Sequence, residues 1–398
     1  MQKFLVIQTA FIGDVVLATG LIEKLHAHFP DAQLDFLLRK GNEALLTGHP
    51  YLHEVLIWDK KKHKLKNLWN LLWRIRRTKY DKTINVQRFA ATGLLTAFSG
   101  AKETIGFDKN PLSRLFSKRI KHVVSYQLGK PGEPRITGQS AGPGEGHAPQ
   151  PGEESTPQPS NRSAPQPSTS HDTAPAHEID RNQLLIKDFT DPIPAKPRLY
   201  PTAQDYEVIK KYQQSPYITV GPASIWFTKQ YPAEKWVDFI RKVPAGYTIC
   251  LLGAPTDKDL CESILQGASM QDPIALTGAS PDKRSGIPAA PARSILNLAG
   301  KLNFLQSVAL MQGAAMNYTN DSAPMHFASA GNAPVTAVYC STIPAFGFGP
   351  LSDKRFIVEI AQPLDCRPCG LHGYKACPLG HFRCAYAITD EQLLATLP

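Results

Sequence analysis

A chain of 398 residues, 42% apolar and 20% charged, is too long for one ordinary domain and too apolar for a disordered or fibrous protein, so two globular domains are expected. Seven cysteines, an odd number, argue against a disulfide framework, and no apolar run approaches the length of a membrane span. The formal charge of +10 calls for an anionic partner, and nucleic acid, an anionic membrane surface and a phosphorylated small molecule would each answer it.

Met1-Gln-Lys3 leads straight into an apolar run at residues 4–7 rather than into a signal-peptide core, which predicts a cytoplasmic protein. That run meets Gly13-Asp14 and passes into a helical pattern carried by Val15, Ala18, Leu21, Ile22, Leu25 and Phe29. A carboxylate at a strand-to-helix turn has two readings. Asp14 can be the N-cap of a helix beginning at Val15, or a reacting group where open α/β sheets bind their ligands.

Pro30-Asp31 introduces a second strand at 34–38. A strand at 55–58, a helix with the apolar stripe Leu65, Leu68, Trp69, Leu72 and Ile75, and a strand at 83–86 continue the alternation, so the first half reads as doubly wound α/β. Lys60-Lys-Lys-His-Lys64 precedes that helix, and Lys66, Asn70, Trp73, Arg74 and Arg77 fall opposite its stripe. A basic face with a tryptophan suits an anionic membrane surface, although a merely solvated face has the same composition. No recognisable nucleic-acid module accompanies the charge, so no nucleic-acid partner is expected.

Between residues 129 and 178 Pro, Gly, Ser, Gln and Thr dominate, and too few aliphatic residues remain to offset the entropy of ordering. The stretch is expected to be a disordered insertion in an N-terminal domain spanning 1–190, followed by a Pro-rich linker at 191–201. A second α/β alternation then occupies 202–365: strand Tyr217–Gly221, a helix with Trp236, Phe239 and Ile240, a strand at 247–253, and a helix near 257–266. After a polar insertion at 279–293 come a helix at 305–314, a strand at 315–320, a helix starting near Pro324, and the strand Val335–Tyr339. Residues 366–398 form a cysteine-containing tail with a C-terminal helix. Two similar α/β halves imply a cleft between them.

Four further motifs bear on chemistry. Lys229, in a loop after a strand with Ser224 and Thr228, is placed to neutralise a phosphate leaving group or simply to be a solvated lysine. Thr319-Asn-Asp-Ser-Ala-Pro-Met-His326 enters a helix, so Ser322 and the N–H groups behind it can cradle a diphosphate and Asp321 can hold a hydroxyl, or the segment can be an ordinary cap with a structural His326. Asp257-Lys-Asp259 formally matches a metal-holding acid pair, but fits a helix's first turn better. In the tail, Cys366, Cys369, Cys377 and Cys384 include one CxxC half of a zinc knuckle with the second half too widely spaced, so packed thiols are favoured over zinc.

With these pieces in order, the chain resembles glycosyltransferase family 9, the ADP-heptose:lipopolysaccharide heptosyltransferases. The resemblance rests on Ile12-Gly-Asp-Val-Val-Leu-Ala-Thr19, the Lys229 loop with Pro232 and Trp236, Asn320-Asp-Ser-Ala-Pro-Met-His326, and the cysteine tail. It implies a GT-B fold of two Rossmann-like domains, the acceptor on the first and ADP-heptose on the second. It further implies inverting, metal-independent transfer without a cofactor, to a lipid-linked inner-core acceptor at the inner membrane. On this resemblance Asp14, with Gly13 beside it, is the catalytic base and Lys229 the phosphate-binding group, while Ser224, Thr228, Asp321, Ser322 and His326 bind the nucleotide sugar. The chain departs from the family in having Ala323 where Gly is commoner and Gly20 where Pro is common. Two alternatives stay open: the same fold with another nucleotide sugar or acceptor, and a non-enzymatic basic protein that binds polyanions.

Overall fold

A computed structural model describes residues 1–123, 177–269 and 294–398. The polar insertion expected at 279–293 and most of the low-complexity stretch therefore lie outside the described residues. Its last two residues do not: His177 and Glu178 are ordered, and Glu178 begins a helix, so the disorder expected through 178 is corrected there.

The first half is built from strands β1 (Lys3–Ile7), β2 (Gln33–Arg39), β3 (Glu54–Trp58), β4 (Lys82–Asn85), β5 (Glu103–Phe107) and β6 (Lys118–Ile120). Helices α1 (Ile12–His28), α2 (Lys64–Thr78) and α3 (Ala90–Ala97) connect them, and α4 (Glu178–Gln183) follows. All strands are parallel, in the order β3-β2-β1-β4-β5-β6. Strand β1 reads as a continuous apolar run from Phe4, because helices cover both faces of a parallel sheet, and β2 is buried likewise despite Asp35.

Helix α1 starts three residues earlier than the sequence suggested. Its N-cap is Phe11, in extended conformation and without a side-chain cap, so Asp14 is the third helical residue rather than the cap. An acid in the first turn still faces the positive end of the helix dipole. In α2 the buried residues are Leu68, Leu71, Leu72 and Ile75, packed with Leu5, Ile7 and Leu37. The buried arc is rotated toward Leu71, and Leu65 and Trp69, expected in the core, are left outside.

The second half begins with α5 (Ala203–Ile209) and contains β7 (Tyr217–Gly221), α6 (Ala233–Lys242), β8 (Thr248–Leu251), α7 (Lys258–Ser269) and β9 (Ile295–Asn297). It continues through α8 (Phe304–Gly313), β10 (Met316–Asn320), α9 (Ala323–Ala330), β11 (Val335–Tyr339) and β12 (Arg355–Glu359). Its parallel sheet, β12-β11-β10-β7-β8-β9, repeats the strand order of the first. The tail helices α10 (Arg383–Tyr386) and α11 (Asp390–Leu394) close over this sheet, with Cys384, Ile388 and Leu393 in one apolar cluster with Trp236 and Phe239. The fold is therefore GT-B, two facing Rossmann-like units.

The halves share a core as well as a linker. One apolar cluster runs from Val15, Ile22 and Leu25 of α1 to Leu305, Val308, Phe327 and Ala328 of α8 and α9. The linker lies on α1 so closely that a Cβ on Gly20 would sit 2.6 Å from the Ala195 carbonyl oxygen, which explains glycine at this position. Asp257 accepts a hydrogen bond from Ala254 N (2.8 Å) and Asp259 lies in the first turn of α7, so both acids serve a helix start. Among the described residues no helix is long and apolar enough to cross a membrane.

Candidate active site at two facing switch points

Open α/β sheets bind ligands beyond the carboxyl ends of the strands, where the strand order reverses. In the first sheet that point lies between β1 and β4, which are followed by Asp14 in the first turn of α1 and by Arg88; in the second it lies between β7 and β10, whose following turns carry Lys229 and Asp321. The doubly wound topology thus gathers residues that the sequence scatters over both halves.

The two points meet where α1 passes α9. Gly13 lies so close to His326 that a Cβ there would stand 2.7 Å from His326 Cδ2. Burial pushes His326 down to about 4, so its ring is neutral at physiological pH, and it also senses the charges of Asp321 and Lys229. Its Nδ1 has no hydrogen-bond partner among the described residues. The ring is thus packed between the two halves, joining the Asp14 turn to the Lys229–Asp321 pair.

The Asp14 carboxyl is pushed up to about 6. Burial is the main cause and the nearby Glu178 carboxylate the second; backbone hydrogen bonding at Phe11 and the Arg88 charge pull the other way. Glu178 is held by Arg181 (2.7 Å), and its backbone N–H donates to Gly347 O (2.8 Å) in the second half. A carboxyl tuned in this way is a stronger base than an exposed aspartate and is still mostly ionised at neutral pH.

Across from it, Lys229 Nζ lies 2.7 Å from Asp321 Oδ2, and the Thr342 hydroxyl donates to the same oxygen at 2.7 Å. Asn320 fixes the lysine loop from below: its Oδ1 accepts from Tyr231 N (2.9 Å) and its Nδ2 donates to Pro222 O (2.7 Å). Ser322 is the N-cap of α9 but makes no side-chain cap, leaving the helix start to face a ligand. Ser224 lies half-buried in the loop, its N–H donating to Gln230 Oε1 (3.3 Å).

A family model, glycosyltransferase family 9 (heptosyltransferase), matches residues 162–370, about half of the chain. The chain belongs to glycosyltransferase family 9. At the level of the family it is a glycosyltransferase. Lipooligosaccharide heptosyltransferase 2 of Haemophilus influenzae is 29% identical over 173 residues, 40% of this chain and 43% of that protein, so the match spans less than half of that relative. Lipopolysaccharide heptosyltransferase 3 of Escherichia coli is 24% identical over 344 residues, 83% of this chain and 82% of that one. Among solved structures, Escherichia coli ADP-heptose lipopolysaccharide heptosyltransferase II has the same fold, with a TM-score of 0.67 at 19% identity over 100% of this chain and 97% of that one.

In this family 9 chain Thr228 is bound into the tail. It is buried, and its hydroxyl accepts from Tyr374 N (2.7 Å) and Ser341 Oγ (3.0 Å) while its backbone N–H donates to Tyr374 O (3.1 Å). Through these bonds Thr228 fastens the tail to the lysine loop. Gly373, at φ 75°, allows the approach; a Cβ there would meet Thr228 Oγ1 at 2.8 Å and Lys229 Cγ at 3.0 Å. The tail cysteines are free thiols. Cys366 Sγ lies 3.9 Å from His381 Nε2, Cys369 N donates to Ser341 O (2.8 Å), Cys377 packs against the apolar cluster that buries Cys384, and burial pushes the Cys384 thiol up to about 12. Among the described residues no group of three or more His, Cys, Asp or Glu side chains is arranged to hold a metal.

Sequence reasoning did not single out Arg88, Glu178, Thr342 or Asn320 as parts of the site. Asn320 alone carried a signal, as the residue before Asp321 at the end of an apolar strand.

Proposed function

We propose that this chain is an inverting, metal-independent transferase that moves heptose from ADP-heptose to a lipid-linked inner-core lipopolysaccharide acceptor. The observation that supports it best is the pairing of switch points: a carboxylate raised to about 6 on one, and an ammonium held by Asp321 on the other. ADP-heptose and lipopolysaccharide are drawn from the relatives' names, and the lipid-linked inner-core acceptor from the family resemblance.

In this reading Asp14 takes the proton of an acceptor hydroxyl as that oxygen forms its bond to the anomeric carbon. The bond from that carbon to the terminal phosphate oxygen of ADP breaks on the opposite face, and ADP leaves with the electron pair. Lys229 and the N-terminus of α9 stabilise the charge growing on the diphosphate, the task a metal ion performs elsewhere. Because Asp321 neutralises Lys229 in the free protein, the incoming diphosphate shares that ammonium, while the Thr342 hydroxyl continues to hold Asp321.

General-base catalysis supplies about 10²–10⁴-fold in rate, so Asp14→Asn should lose that much turnover while keeping donor affinity. ADP release, measured with a panel of nucleotide sugars and defined truncated acceptors, with and without EDTA, tests the reading. Near-wild-type turnover of the Asn variant overturns the base assignment, loss of activity in EDTA overturns metal independence, and preference for another sugar nucleotide overturns the donor.

A further inference from the structure

Helix α2 presents a surface that the transferase chemistry does not use. Leu65, Trp69 and Trp73 recur every fourth residue and form a ridge on its outer side, 78%, 58% and 49% exposed. The two indoles meet edge to face, with ring centroids 5.9 Å apart. Leu68, Leu71, Leu72 and Ile75 anchor the opposite side in the core, so the ridge cannot turn inward without unpacking the helix. Single exposed apolar residues are ordinary; three in register on one helix are not.

The ridge is set in positive charge. Nine of the chain's 44 lysines and arginines lie between Lys60 and Lys79, a stretch with no carboxylate, and the other 35 nearly balance the 34 acids of the whole chain. Almost all of the net charge is therefore carried by this one stretch of chain. Arg74 is paired with Glu54, and the Arg76 guanidinium donates to Phe98 O (2.8 Å). Among the described residues Lys61, Lys62, Lys64, Lys66, Arg77 and Lys79 make no ion pair. Beside the ridge, Asn70, Trp73, Arg74, Arg77 and Thr78 line an open depression of about 700 Å³.

We propose that this face of α2 docks the protein on an anionic lipid bilayer, the indoles and Leu65 entering the interface and the cations meeting lipid phosphates. Tryptophan prefers the interfacial level, because its ring is apolar and its N–H polar, and basic residues near an anionic surface add to apolar insertion. A polyanion such as nucleic acid would use the cations but leaves Leu65 and the paired indoles without a reason to be exposed. The placement also suits the cleft. Lys60, just before α2, donates to Thr9 O (2.8 Å) and Thr9 Oγ1 (3.0 Å) in the turn between β1 and Asp14, so the N-terminal end of the docked helix lies beside the mouth of the site.

The test is co-sedimentation of the full chain with vesicles of phosphatidylcholine alone and of phosphatidylcholine with phosphatidylglycerol, at low and high salt. Binding is expected only to the anionic vesicles, weakened by salt, with the exposed indoles quenched by brominated lipid. Trp69→Ser/Trp73→Ser should weaken binding about tenfold or more and abolish the quenching, while Lys66→Glu/Arg77→Glu should weaken it at least as much. Both pairs are exposed, so unfolding midpoints and turnover with a water-soluble acceptor should be unchanged. Vesicle binding indifferent to the serine pair, or equally tight binding to DNA, overturns membrane docking in favour of a general polyanion surface. A wild-type dimer that the serine pair converts to monomer overturns it in favour of a contact between copies.

Discussion

Gly13→Ala offers the sharpest test of how the two halves are joined. The added carbon would lie 2.7 Å from His326 Cδ2 and 3.3 Å from its Nε2, whereas carbon atoms settle at about 3.5–4.0 Å. Something must yield by about 1 Å, and neither side is loose: His326 is buried in α9, and Gly13 belongs to the first turn of α1. Overpacking of this kind costs about 1–3 kcal/mol, to be read from urea unfolding. Because the strain falls next to Asp14, and a reacting group misplaced by about 1 Å can lose about 10²-fold in rate, kcat for ADP release should drop by that order while donor affinity stays near wild type. Removing the ring should relieve the clash, so Gly13→Ala combined with His326→Ala should be less damaged than the sum of the single variants, with a coupling of about 0.5–3 kcal/mol. A Gly13→Ala protein of wild-type stability and turnover, or strictly additive effects, would refute the reasoning.

The acid limb of kcat/KM should have an apparent pKa near 6, activity rising with pH as Asp14 ionises, and Glu178→Gln should move that limb to lower pH by removing a neighbouring negative charge; a limb unmoved by that variant would show that another group sets it. Stability over the same range should run mainly the other way from Asp14's own contribution. His49, His122, His177 and His326 are each pushed down to about 4 by burial, so below about 6.5 the unfolded chain takes up protons that the native one refuses and stability falls toward acid. Asp14, raised from 3.8, opposes this, because between about 4 and 6 the native state holds the extra proton; Asp14→Asn should therefore steepen the acid loss, seen as unfolding midpoint against pH. Thr228→Val should lower stability by about 1–3 kcal/mol by leaving the Tyr374 N–H and Ser341 hydroxyl without their acceptor, and a raised donor KM at unchanged stability would instead place Thr228 at the phosphates.

The alternation of strands and helices was legible because parallel strands are apolar runs bounded by Gly, Pro and Asp, and Tyr217–Gly221 and Val335–Tyr339 stand where the sequence placed them. Helix starts were less so. Phe11 gives no capping signal, so capping remained one of two readings of the first polar residue after it, Asp14, and the helix start was placed at Val15. On α2, apolar residues cover more of the circumference than the core needs, and periodicity alone could not say whether Leu65 and Trp69 or Leu71 would be buried. Glu178 was hidden because α4 is six residues long and mostly polar, stabilised by contacts with residues 346–349 of the other half that no local pattern encodes. The Lys229–Asp321 pair and the occupied hydroxyl of Thr228 are tertiary facts of the same kind.

These long-range contacts make the basicity of Asp14 depend on both halves. Asp14 is raised first by burial and then by Glu178, and Glu178 is positioned by Gly347 O, while Arg181, which holds its carboxylate, donates to Phe346 O (3.0 Å). Gly347 itself has φ 94°, with Arg181 packed so near that a Cβ would meet its guanidinium at 2.3 Å. The second half thus supplies the anchor for the group that tunes the carboxyl of the first. Parting the halves would hydrate Asp14 and release Glu178, and both changes lower its basicity toward that of an ordinary aspartate. The turn that holds the carboxyl would lose its packing against His326 at the same moment. A carboxyl raised by the contact between the two halves is at its most basic only when those halves are assembled together.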